Sequence, residues 1–237
     1  MKAAAIIFPG SNCDRDVITT LERFGAAVTK IWYEQDELPS NLDLIVIPGG
    51  FSYGDYLRSG AMAAISPAMR AVKLAAARGV HILGICNGFQ ILTEAGLLPG
   101  ALLRNRKGKF ICRKMNLRVE NNQSNFTSKY KARQIIKIPI AHMDGNYFAD
   151  ADTIKNLEDK NLIAFRYVSE NGKIDEEDNE DSNENGNENG SINSIAGIFN
   201  QEKNILGMMP HPERASNAEI GSNDGAALFQ SLLNITK

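Results

Sequence analysis

The chain has 237 residues, 43% of them hydrophobic, and its 26 Lys and Arg against 28 Asp and Glu leave a formal net charge of −2. That length suits one large domain with room for an insertion, and no apolar run approaches the roughly 18 residues a membrane-spanning helix needs. Lys2–Phe8 is too short for a signal peptide. The three cysteines, Cys13, Cys86 and Cys112, are too few and too odd in number for a disulfide framework, which predicts a reducing, cytoplasmic setting.

The first apolar run, 3–8, predicts a buried strand. A helix over 13–24 follows, with Ser11, Asn12 and Asp14 as capping residues and Gly25 to close it. Strands over 27–32 and 44–47 come next, the second ending in Pro48-Gly49-Gly50. Pro67 and Gly79 bracket a helix near 67–78, which leads into a strand at 80–85 and a helical pattern from Phe89 to Ala95. Short β-like runs at 116–120, 135–139, 162–168, 195–199 and 205–209 precede a C-terminal helix at about 223–234. Strands alternating with helices predict an α/β fold, a doubly wound and largely parallel three-layer sheet. Sites in such sheets lie at the carboxyl ends of strands, where Gly49-Gly50, Cys86 and His211 all fall.

Residues 175–190 break this pattern, with eight acids and no hydrophobic residue. Such a tract predicts a disordered surface loop inserted into the domain. Taking its acids away turns the formal net charge from −2 to +6. Arg104, Arg106, Lys107, Lys109, Arg113, Lys114 and Arg118 then form a basic cluster, readable as a docking face for an acidic partner or an anionic nucleotide, or as an ordinary solvated face. It has no aromatic interleaving, so nucleic-acid binding is not expected.

The chemistry is concentrated in two segments. In Gly84-Ile85-Cys86-Asn87-Gly88-Phe89-Gln90 a strand, a sharp turn and a helix meet at one thiol between small residues. This elbow is expected to present an exposed nucleophile, with helix-start N–H groups favouring its thiolate. In Gly207-Met208-Met209-Pro210-His211-Pro212-Glu213-Arg214, flanking prolines restrict the backbone of His211, and Glu213 can accept a hydrogen bond from its ring. Cys86, His211 and Glu213 thus supply a nucleophile, a base and an orienting carboxylate. The Gly50 and Asn87 N–H groups are candidates for an oxyanion hole, each donor typically worth roughly a hundred- to a thousand-fold in rate. Cys13, at a helix start, could also have its thiol pKa lowered, but a structural role is the favoured reading.

Cys86-Asn87-Gly88-Phe89-Gln90 with Pro210-His211-Pro212-Glu213 resembles the triad (class I) glutamine amidotransferases. Phe8–Asp14, Pro48–Arg58, Leu103-Arg104-Asn105, Lys109–Arg113, Leu117–Asn122 and Gly207–Arg214 narrow the likeness to the glutaminase subunits of phosphoribosylformylglycinamidine synthase, nearly end to end. The resemblance implies a single glutamine amidotransferase domain over 1–237 that hydrolyses L-glutamine to glutamate and ammonia, with no cofactor of its own. It implies a large synthetase partner (PurL-like) that uses ATP and Mg to turn formylglycinamide ribonucleotide into the amidine, and a small accessory subunit (PurS-like). It gives Cys86, His211 and Glu213 the catalytic roles, places Phe51 and Gln90 at the glutamine pocket, and makes His142 of Pro139-Ile140-Ala141-His142 a secondary substrate-binding candidate. Met143 and Asp144 depart from the small residue and glutamate usual there. No metal is implied, and neither a zinc-spaced ligand set nor a phosphate-binding glycine loop stands in the sequence. Two alternatives stay open: a glutaminase or related Cys-elbow hydrolase serving another pathway, and a catalytically silent module. A partner pull-down separates the first, and the thiol reactivity of Cys86 against Cys13 and Cys112 the second.

Overall fold

The computed structural model describes residues 1–174 and 186–235. In chain order its elements are β1 (Lys2–Ile7), α1 (Asp14–Arg23), β2 (Ala27–Trp32), β3 (Leu44–Ile47), α2 (Ala61–Ala64), α3 (Pro67–Ala77), β4 (His81–Ile85), α4 (Asn87–Glu94), β5 (Ala101–Leu103) and β6 (Ile111–Val119). They continue with β7 (Ile135–His142), β8 (Asn146–Phe148), α5 (Ala151–Asp159), β9 (Ile163–Val168), β10 (Ile195–Phe199), β11 (Ile205–Met208) and α6 (Ala226–Leu232).

Nine strands form one sheet in the order β2-β1-β3-β4-β11-β10-β9-β6-β7, while β5 and β8 make a separate antiparallel pair. From β2 to β11 every pairing is parallel, and from β11 to β7 every pairing is antiparallel. The α/β sheet expected from the alternating runs is present, with an antiparallel half that the same runs did not distinguish. Burial explains the parallel half. β3 is Leu44-Ile45-Val46-Ile47 with every residue buried, and β1 is buried from Ala3 to Ile7, as strands covered by helices on both faces must be. β7 instead alternates, with Ile136, Ile138, Ile140 and His142 inward and Ile135 and Lys137 outward.

The helices obey local rules. Ser66 Oγ accepts the Met69 N–H at the start of α3, with Pro67 in the first turn. In α5 the Asp150 side chain accepts from Thr153 N at 2.7 Å. That helix was not foreseen, because only Ile154 and Leu157 of its nine residues are buried.

The acidic tract needs a correction. Residues 175–185 of the expected loop lie outside the described residues, but 186–190 belong to the folded body. Asn189 is buried, its Nδ2 donating to Gly145 O at 2.7 Å, and Glu188 pairs with Arg113. A short polar side chain can be buried when a backbone carbonyl receives it, so polarity alone misplaced the end of the loop. No helix among the described residues is long and apolar enough to cross a membrane.

Candidate active site

The parallel strands end side by side, and their ends carry the candidate residues. In register, Ile47 of β3 faces Gly84 of β4, and Met208 of β11 faces Ile85. The Cys86 N–H continues this ladder, donating to Met208 O at 2.8 Å. Gly49-Gly50, Cys86 and the 210–213 segment are therefore one layer of neighbouring strand exits.

At the elbow, Cys86 has φ 52° and ψ −107°, a strained conformation for a non-glycine residue. The small residues around it make the turn possible. A Cβ on Gly88 would stand 2.0 Å from Ile47 O, and one on Gly84 would stand 2.7 Å from Gly88 O. Without side chains at these positions α4 packs directly on β3 and β4. At its start Cys86 O accepts the Phe89 and Gln90 N–H groups, while the Asn87 N–H, ahead of them, has no intrahelical acceptor.

The sequence predicted an exposed thiol, and the structure buries it, with Cys86 only 4% exposed. The exit of β7 covers it, the sulfur lying 3.8 Å from Ala141 O. His211 and Glu213, each 2% exposed, lie beside it. A carboxylate can only accept, so His211 Nδ1–H donates to Glu213 Oε1, at 2.7 Å. Nε2 then makes no hydrogen bond of ordinary geometry among the described residues and is the ring edge left for Cys86. Burial alone would depress the imidazole's pKa. The charge of Glu213 and then that of Cys86 outweigh it, holding the ring above its ordinary value.

Gly49 is the hub of this arrangement. A Cβ there would lie 2.8 Å from His211 Cε1, 3.2 Å from Cys13 Sγ and 3.4 Å from Cys86 Cβ. One absent side chain thus lets three functional groups from three strand exits meet. Of the Gly49-Gly50 pair, the sequence singles out Gly50 for the oxyanion hole and assigns no separate role to Gly49. At Gly50 φ is 150°, and a Cβ would strike the Gly10–Asn12 backbone. The Phe51 N–H is engaged by Gly10 O at 3.0 Å, whereas no backbone acceptor meets the Gly50 N–H among the described residues.

The expected substrate-binding residues separate. Phe51 is 41% exposed and leans on Phe110, so it remains available to a ligand. Gln90 is buried with both ends of its amide engaged: Oε1 accepts from Asn87 Nδ2 at 2.9 Å and Nε2 donates to Asp144 O at 2.6 Å. Asn87 Oδ1 in turn accepts the Ser52 N–H at 3.1 Å. This relay ties the elbow helix to the 50s loop and to the 143–145 turn. His142 is buried beside His211, its Nδ1 3.1 Å from Asn105 Oδ1 and its Nε2 without a partner among the described residues. Burial first, and then His211, lower its pKa to about 3, so the ring stays neutral. The shorter Asp144 carboxylate finds partners in Ser59 Oγ at 2.9 Å and Arg104 Nε at 3.2 Å.

Two further residues enter the site unforeseen. Cys13, read as structural, points its sulfur at the triad, and Arg214 NH2 donates to that sulfur at 3.1 Å while its Nε pairs with Asp16 at 3.0 Å. Burial pushes the Cys13 thiol up to about 12, against the opposing pull of Arg214. The only hint in the sequence was the position of Cys13 at the exit of β1, in line with the other strand exits. Three of the seven residues of the basic cluster form ion pairs, Arg104 with Asp144, Arg113 with Glu188 and Arg118 with Glu120.

The sequence matches the CobB/CobQ-like glutamine amidotransferase domain over residues 1–226. The chain belongs to this glutamine amidotransferase family. Within the glutamine amidotransferases it is 54% identical over 233 residues to the phosphoribosylformylglycinamidine synthase subunit PurQ of Novosphingobium aromaticivorans, covering 98% of this chain and 96% of that one. It is 52% identical to the PurQ subunit of Brucella suis, over the full length of both. The solved structure of PurLQS from Thermotoga maritima contains a chain that superposes with a TM-score of 0.85 at 43% identity, covering 100% of this chain and 99% of that one. As a glutamine amidotransferase of the PurQ kind, the protein is an enzyme with a glutaminase site.

Proposed function

We propose that this chain, as one domain over 1–237, is the glutaminase subunit of a cytoplasmic phosphoribosylformylglycinamidine synthase and passes ammonia from L-glutamine to a PurL-like synthetase subunit. The observation that carries the chemistry is the buried His211–Glu213 pair, at 2.7 Å, with Nε2 turned to a cysteine on a strained elbow. The Cys86 thiol gives its proton to His211 Nε2, and the thiolate attacks the side-chain amide carbon of glutamine. The Gly50 and Asn87 N–H groups receive the oxyanion. His211, steadied by Glu213, returns the proton to the departing nitrogen, ammonia leaves, and a glutamyl thioester remains on Cys86. Water, deprotonated by the same nitrogen, then releases glutamate and restores the thiol. Phe51 would shape the mouth of the glutamine pocket, while Gln90 and His142 would hold its walls from behind.

The partner is the place for ATP and Mg, used to convert formylglycinamide ribonucleotide to its amidine, with a PurS-like subunit in the assembly. Likeness over the whole length to PurQ subunits, and to a chain in a PurLQS structure, supports this reading. Burial of all three triad residues further favours a site that opens only in the complex. The test is ammonia release from glutamine by the chain alone and with the synthetase subunit, its nucleotide substrate and ATP. We expect turnover to rise at least tenfold with the partner and to vanish in Cys86→Ala. Equal turnover without the partner would refute the coupling, and activity surviving in Cys86→Ala would refute the nucleophile.

A further inference from the structure

Cys13 takes no part in the proton transfers above, yet its sulfur stands against the triad. Cys13 Sγ, one ring nitrogen of His211 and one carboxylate oxygen of Glu213 all lie within 4.8 Å of one another. Among the described residues no other three such side chains converge in this way. All three residues are buried, and the cluster carries two buried polar atoms without hydrogen-bond partners among the described residues, His211 Nε2 and Glu213 Oε2. Gly49 lets them converge by having no side chain, since a Cβ there would sit 2.8 Å from the His211 ring and 3.2 Å from the Cys13 sulfur.

We propose that Cys13, His211 and Glu213 form an inhibitory binding site for a thiophilic divalent cation, Zn2+ in the first instance. Thiolate, imidazole and carboxylate are the donor types zinc prefers, at about 2.0–2.3 Å, so donors at most 4.8 Å apart need to close by only about 1 Å. Two anionic donors balance the ion's charge in a place where a bare cation would be costly. Binding replaces the thiol proton of Cys13 and the proton on the His211 nitrogen that ligates, both of which leave to solvent, and the guanidinium of Arg214, already donating to that sulfur, favours the resulting thiolate. The bound ion takes His211 and Glu213 away from Cys86 and stops turnover until a chelator removes it. The consequence for turnover rests on the glutaminase reading above, whereas the binding does not.

The test uses Co2+ as a spectroscopic stand-in for Zn2+ on the full-length protein. We expect one equivalent of Co2+ to give a thiolate-to-cobalt charge-transfer band that Zn2+ displaces. The band should persist in Cys112→Ser and Cys86→Ala and weaken at least tenfold in apparent affinity in Cys13→Ser. In the complex with its synthetase, Zn2+ should inhibit glutamine hydrolysis reversibly by EDTA, with the half-inhibiting concentration at least tenfold higher in Cys13→Ser. No band in the wild type, or a band kept in Cys13→Ser, would overturn the site. So would a band lost in Cys86→Ala, which would move the ion to the nucleophile. If the band behaves as expected and no ammonia is ever formed, the metal site stands and the glutaminase reading fails.

Discussion

At the scale of single residues, the site depends on a side chain that is missing. Gly49 is where His211, Cys13 and Cys86 come within van der Waals reach of one spot, and a methyl group there meets His211 Cε1 at 2.8 Å. The ring must move by more than half an ångström to reach ordinary contact, and misplacement of a catalytic group by about 1 Å can cost a hundredfold. We expect Gly49→Ala to lower kcat by about a hundredfold while leaving the melting temperature within a few degrees, as read by ammonia release and thermal unfolding. A loss of folding would show instead that Gly49 serves packing alone. His142 makes a second prediction, about pH. Burial holds its folded-state pKa near 3, below the 6.5 of the unfolded chain, so on acidification the unfolded state takes up a proton that the native ring refuses. Stability attached to this group is complete above about pH 6.5 and falls as the pH drops toward 3, at up to about 1.4 kcal/mol per pH unit. Denaturant unfolding of His142→Asn between pH 4 and pH 6 should show a shallower acid dependence by about that slope. An unchanged slope would mean that the buried ring already shares a proton. The triad itself could be read in the sequence because nucleophile, base and orienter each sit in a short motif. Cys13 could not, because its role comes from the convergence of β1 with β4 and β11, separated from it by more than 70 residues.

At the scale of elements, what could be read in the sequence follows from how strongly each segment is constrained locally. The parallel strand at 44–47, buried on both faces, and the helix at 67–77 lie where the apolar runs and the Pro and Gly punctuation put them, and so does the edge strand at 27–32, although only its Ile31 is buried. The elbow could also be read, since Gly84 and Gly88 are demanded by contacts with Gly88 O and Ile47 O that no larger residue permits. The later segments were harder. β6 begins at Ile111, five residues before the apolar signal at 116, because its first residues face solvent and pair only with β7. β5, β8 and α2 are too short to carry a period, and their conformation comes from their neighbours. The direction of β6, β7, β9 and β10 is a matter of pairing, which alternation of apolar residues does not encode.

At the scale of the whole molecule, the folded body holds the distal part of the acidic tract, residues 186–190. Lys173 O accepts the Ser169 N–H at 2.9 Å, and Gly186 packs against the Val168–Ser169 backbone, so the chain leaves and returns at the same strand end. A short link there closes the loop at little entropic cost. Past that point the return is tied down. Asn189 Nδ2 donates to Gly145 O at 2.7 Å, Asn189 O receives the Arg106 N–H at 2.9 Å, and Ser191 Oγ reaches the same Gly145 carbonyl at 3.2 Å. Gly145 in turn lies flat against the His142 ring and gives its own N–H to Asn105 Oδ1, which also holds His142. The distal end of the tract therefore braces a wall of the catalytic site. Removing residues 177–183 should leave the melting temperature within about 3 °C of the parent and glutaminase activity within about twofold, because no contact of 186–191 is touched. Removing 175–190 takes the Arg106 N–H from its acceptor and leaves Gly145 O only the Ser191 hydroxyl, a loss of about 1–3 kcal/mol, or roughly 2–12 °C in a chain of this size. Activity should fall with it, since the His142 wall loses its support. Thermal unfolding and ammonia release on both deletions decide the matter, and equal behaviour of the two would show that Asn189 is a passenger rather than a brace.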